Sequence, residues 1–200
     1  MRKILVIVAI LSSLKAVSQE DFVIRINDTL INVALDKSYN INLKGTKFNF
    51  KVSSKDTLTY KNTFYSVLYP KGFRVSHSKL DADIEQISIL TVESSGLIIQ
   101  KYESVNPTSL NEIIMTEMTK ESISYGFVSK RSSYKRRLKS GQEIEVTRAE
   151  LRFKDDVDVY EVASIGKNNK GIIIITMRMD ESNPEAQNLI DLMWQSLKIN

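Results

Sequence analysis

Residues 171–178 read GIIIITMR, and the four consecutive isoleucines at 172–175 constrain the fold more than any other stretch. Side chains of a β-strand point alternately to its two faces, so a run that is apolar at every position belongs where both faces are covered. The run therefore predicts a central strand, and Asn168-Asn169-Lys170-Gly171 supplies the turn that leads into it.

Other strand-like runs precede it. QISILTV and GLIIQKY read as a hairpin around Glu93-Ser94-Ser95-Gly96. GFVSKRSSYKRRLKS is polar and reads as an edge strand. QEIEVTRAELRFK alternates at Ile144 and Val146 and, after a shift of phase, at Leu151 and Phe153. DVDVYEVASIG alternates at Val157 and Val159 and, after Tyr160, at Val162.

The period changes twice. Leu110, Ile113, Ile114 and Met118 recur at helical spacing, Ser109 and Glu112 make a capping box, and Gly126 is placed to end the helix in a left-handed conformation. Near the end of the chain Asn183 caps, Pro184 takes the first helical position, and Ala186, Leu189, Ile190, Met193, Trp194 and Leu197 form one apolar face. Strands, helix, antiparallel strands and helix in that order predict an α+β fold, an antiparallel sheet sandwiched by helices.

The first eighteen residues, MRKILVIVAILSSLKAVS, have a basic start, an apolar run from Ile4 to Leu11, and Ala16 and Ser18 before a cut ahead of Gln19. This is the pattern of a secretory signal peptide, and the run is too short to span a bilayer. Without Arg2, Lys3 and Lys15 the 28 basic residues fall to 25 against 24 acidic, so the net charge of +4 drops to +1. A balanced mature chain lacks the basic excess of a nucleic-acid binder. Cysteine is absent, which excludes disulfides, thiolate nucleophiles and cysteine metal sites. After the signal, residues 19–58 alternate with reversals at Asn27-Asp28 and Lys44-Gly45 and read as a small extension of β-hairpins, the main domain being 59–200.

No constellation of residues specifies a reaction. His77 is the sole histidine and stands in polar SHSK, the setting of a solvated loop. Asp155, Asp156, Asp158 and Glu161 lack the spacing of a calcium loop and read as a solvated turn. The serines form no nucleophile elbow, and no cofactor motif is present. The strongest local charge anomaly is Lys130, Arg131, Lys135, Arg136, Arg137 and Lys139, six cations within ten residues around Tyr134. Such a run meets an anionic lipid, polysaccharide or protein, or it protects an edge strand from edge-to-edge pairing. Charge reversal at Arg136 and Arg137 separates the two readings.

YKNTFYSVLYPKGFRV at 60–75, the central hairpin and helix, and IDLMWQSLKI at 190–199 together resemble the PsbP-like superfamily over roughly residues 60–200. The resemblance implies the α+β fold and a non-catalytic role in binding or assembly, with no catalytic residues to carry across. The extension at 19–58 lies outside the pattern. Signal, composition and resemblance lead to the expectation of an exported, periplasmic or secreted, non-enzymatic module of the bacterial envelope. Its partner would be an unknown protein or anionic envelope component, and the chain would not span the membrane after signal cleavage. The alternative is a small-ligand or lipid binder using a cleft between sheet and helix.

Overall fold

A computed structural model describes residues 21–180 and 182–200. The signal expected at 1–18 lies outside the described residues. The chain divides into two compact units, Met1–Lys55 and Asp56–Asn200.

The described part of the first unit is two antiparallel hairpins. Strands β1 (Asp21–Ile26) and β2 (Thr29–Ala34) form one, and β3 (Ser38–Leu43) and β4 (Thr46–Lys51) form the other. In the second hairpin Lys44 and Gly45 have φ of 51° and 85°, the left-handed pair that a tight two-residue turn needs. Its alternation puts Tyr39, Ile41, Leu43, Phe48 and Phe50 on one face, where the Tyr39 and Phe50 rings stack 5.7 Å apart. Asp36 ties the hairpin bases together. Its amide bonds the Val52 carbonyl (2.8 Å), and its carboxylate accepts from Ser53 Oγ (2.8 Å) and pairs with Lys51 (3.2 Å).

The second unit begins with β5 (Thr57–Lys61) and β6 (Tyr65–Pro70), and continues through β7 (Ser76–Asp81), β8 (Ile84–Leu90) and β9 (Gly96–Tyr102). A 3-10 turn (Pro107–Ser109) and α1 (Asn111–Ser124) follow. Then come the long strands β10 (Val128–Arg137), β11 (Glu143–Phe153), β12 (Asp156–Lys167) and β13 (Lys170–Arg178), with α2 (Pro184–Ser196) and the short β14 (Lys198–Ile199) last. Seven strands make one antiparallel sheet in the order β10-β11-β12-β13-β9-β8-β7, and β14-β6-β5 make a second, smaller one. The architecture is the expected α+β.

The isoleucine run is β13, the middle strand of the seven. Ile172 and Ile174 pack in a core with Leu189, Met193 and Trp194 of α2 and with Tyr65 and Val67 of β6. Ile173 and Ile175 pack on the opposite face with Met115 of α1, Leu151 and Tyr160. One face of the sheet thus carries α2 and the small sheet, and the other carries α1. This explains the shift of phase read in β11. The register between β11 and its neighbours runs without a break through Thr147 and Arg148. No residue is inserted; Ile144 and Val146 lie on the α2 face, and Ala149 and Leu151 lie under α1.

Helix α2 starts as expected, with Asn183 Oδ1 accepting from the amides of Glu185 (3.0 Å) and Ala186 (3.2 Å). The capping box expected for α1 does not form. Pro107 is held at the start of the 3-10 turn, where Asn106 Oδ1 accepts from the Thr108 amide (3.2 Å), and that turn runs directly into α1 through Leu110. Ser109 is left exposed inside the turn, and Glu112 pairs instead with Arg131 (3.0 Å). The turn rests on the Gly166–Gly171 pair at the end of β12 and β13. A Cβ at Gly171 would meet Pro107 Cδ at 2.6 Å, and one at Gly166 would meet Asn106 Cγ at 2.9 Å. Gly126, at φ 97°, closes α1 as expected. Its amide bonds the Ile123 carbonyl (3.0 Å), and the Phe127 amide bonds that of Ser122 (3.1 Å).

Candidate functional site

The basic run is an edge strand, since β10 pairs only with β11. Period-two alternation then divides its cations between the two faces of the sheet. Arg131 turns towards α1, where its guanidinium donates to Glu112 (3.0 Å) and to Thr116 Oγ1 (3.2 Å). Lys135 pairs with Glu143 (3.1 Å) on the neighbouring strand. Arg136 turns to the opposite face, towards α2. Its guanidinium lies 4.6 Å from the centre of the Trp194 ring and donates to Tyr134 Oη (2.8 Å). Lys130, Arg137 and Lys139 are exposed and make no ion pair among the described residues. The six cations therefore do not form one patch, and Arg136 and Arg137 do not share a surface.

Beside Arg136 lies a polar cluster centred on Glu161 of β12. Glu161 was expected in a solvated turn; it is 7% exposed. Its carboxylate accepts from Tyr134 Oη (2.7 Å), Arg148 Nη1 (3.3 Å) and Thr176 Oγ1 (3.3 Å), with Arg136 Nη2 at 3.9 Å. Donors on three sides explain how a carboxylate is held here, since burial of an unpaired charge is costly. Burial holds the Tyr134 hydroxyl above its ordinary value. Arg148 also reaches Glu150 (3.6 Å), and Arg152 on the same carboxylate holds Glu150 below the usual range. A cleft of about 130 Å³ opens above this cluster, walled by Arg148, Arg178 and by Gln187 and Asp191 of α2. Arg178 donates to Gln187 Oε1. This is the cleft between sheet and helix, and it is small and polar.

Sequence reading missed the Glu161 cluster, although a signal for it existed. Glu161 stands between Val159 and Ala163 on the α2 face, so strict alternation along β12 already turns it inwards.

A second polar cleft, about 290 Å³, lies between the small sheet and the β7 edge and is lined by Tyr60, Tyr65, His77, Lys79, Glu85 and Lys101 among others. Lys101 Nζ sits 2.8 Å from both Glu85 and Glu103 and 5.4 Å from the centre of the Phe64 ring. Bonding first to Glu103 and then to Glu85 holds its ammonium above the ordinary lysine range. Burial pushes the Tyr65 hydroxyl far up. His77 is not in a loop as expected; it is an exposed residue of edge strand β7, with its ring 5.4 Å from that of Tyr60. Asp155 and Asp156 stand exposed at the β11–β12 turn. Among the described residues no group of three or more histidine or carboxylate side chains is placed to hold a metal ion, and no helix is long and apolar enough to cross a membrane.

No family model matches the chain, and no curated protein matches it. Among solved structures it is similar to the solution structure of cyanobacterial PsbP from Synechocystis sp. PCC 6803, at 15% identity, covering 74% of this chain and 95% of that one, with a TM-score of 0.46.

Proposed function

We propose that this chain is an exported binding or assembly module of the bacterial envelope that works without catalytic turnover and holds an anionic partner along the free edge of β10. The observation that carries this reading is the sorting of the basic run. Arg131 and Arg136 are drawn into contacts of the fold, whereas Lys130 and Arg137 of the edge strand and Lys139 just beyond it remain exposed. Cations with no partner in the fold are available to an external one. The central ionisable group of each cleft supports holding over turnover, because it is committed to partners within the fold. Glu161 is held by Tyr134 and Arg148, and Lys101 by two carboxylates.

The test is crosslinking and recovery from native envelopes, comparing the natural chain with a Lys130→Glu, Arg137→Glu, Lys139→Glu variant. Arg136 is left untouched, because reversing it would place a carboxylate against Trp194 and Glu161. A specific partner recovered by the natural chain, lost in the variant and weakened by added salt supports the reading. Equal recovery by both chains would reduce the run to edge protection. Export is checked separately, by an exported chain that begins at Gln19.

A further inference from the structure

A third opening lies at the end of the sheet where the β12–β13 turn, the β10–β11 turn and the C-terminal strand converge. It measures about 460 Å³, within the range of small-molecule sites. Its floor is Phe64, Ile165, Ile172 and Ile199. Ile172 is buried, while Phe64, Ile165 and Ile199 are partly open apolar groups packed against the core. The polar side is cationic. Lys167 and Lys170, on either side of the β12–β13 turn, line it. The acid beside Lys170 is Glu103 (3.6 Å), which it shares with Lys101 (2.8 Å), the lysine of the second cleft that Glu85 also holds (2.8 Å). Lys167 makes no ion pair among the described residues, so the rim keeps an excess of positive charge.

An apolar floor with cations gathered on one side complements a molecule divided in the same way. We propose that this groove binds a single-chain anionic amphiphile, its acyl chain over Phe64, Ile165 and Ile199 and its head group against Lys167 and Lys170. Lys130, Arg137 and Lys139 do not line the groove, so the proposal does not depend on the function proposed for the β10 edge.

The probe is dodecanoate below its micellar concentration, titrated into the isotopically labelled protein and followed by amide chemical shifts. Dodecyltrimethylammonium, which has the same chain and the opposite charge, is the control. Saturable shifts centred on Gly166, Lys167 and Gly171 are expected with dodecanoate, with weaker binding of the cationic amphiphile. A Lys167→Glu, Lys170→Glu variant changes exposed residues at the strand ends, removes the Lys170–Glu103 pair, and should weaken dodecanoate by about tenfold or more while strengthening the cation. Ile199→Gln should weaken both. No saturation, equal affinity for the two amphiphiles, or shifts mapping elsewhere would each overturn the proposal. So would an acidic peptide that binds the groove where dodecanoate does not. None of these substitutions lies on β10, so failure here leaves the edge reading standing.

Discussion

Glu161 and Asp158 sit three residues apart on β12, point to opposite faces, and meet opposite fates. Glu161 has two hydroxyls and a guanidinium within hydrogen-bonding distance. Asp158 turns to the α1 face, where its one backbone donor is the Asp180 amide at 3.4 Å. Burial raises its carboxyl above the ordinary value, the Asp156 and Asp180 charges push the same way, and only that amide opposes them. The sign of the linked stability follows. Below the usual aspartate range the group is protonated in both folded and unfolded chains and contributes nothing. As pH rises, the unfolded chain ionises first, so folding loses stability until the raised native value has been passed. Asp158→Asn, which keeps an acceptor for the Asp180 amide, should therefore raise the urea midpoint at pH 7. The gain should shrink towards zero near about pH 3, below the ordinary aspartate value. A gain of the same size at both pH values would show that charge is not its cause.

The two helices begin with the same dipeptide, Asn106-Pro107 before the turn into α1 and Asn183-Pro184 at α2, and in each the asparagine oxygen accepts from the amide two residues on. Proline tolerates only the first turn of a helix, since it lacks the amide and clashes further in. It therefore fixes where each helical segment starts. That rule was legible at Asn183 and equally present at Asn106, but Ser109 and Glu112 offered a competing cap that Pro107 forestalls. Asn183→Ala should lower stability by about 1 kcal/mol, whereas Ser109→Ala should stay within about 0.5 kcal/mol of the parent. Urea midpoints read from the single tryptophan decide this; a loss at Ser109 matching that at Asn183 would restore the capping box. Strand β7 was illegible for a different reason. All six of its residues are exposed, so no buried face imposes alternation on SHSKLD. Strand β13 was the easiest to place because both of its faces are covered.

At the scale of the molecule, the sequence conveys layers but not which layer lies over which stretch of strand. The helices cover opposite faces of the sheet, so β11 and β12 change their apolar side partway along without any change of register. The same geometry splits the basic run, which is compact along the chain and divided in space. Faces are set by what packs on them, and strand spacing alone does not state it. The division into units has a consequence of the same order. Both large apolar clusters, with Trp194 in one of them, are built wholly from residues of Asp56–Asn200. The described part of the first unit consists of two-stranded hairpins in which Val23 and Leu30 are 59% and 62% exposed. A two-stranded hairpin is marginal alone, whereas a sheet with both faces covered is not. A chain of residues 56–200 should therefore unfold cooperatively in urea with buried-tryptophan emission in its folded state, and a peptide of residues 21–55 should show no cooperative transition. Solvent-exposed tryptophan emission from the shortened chain in the absence of urea would mean that the core of the second unit does not close without the first.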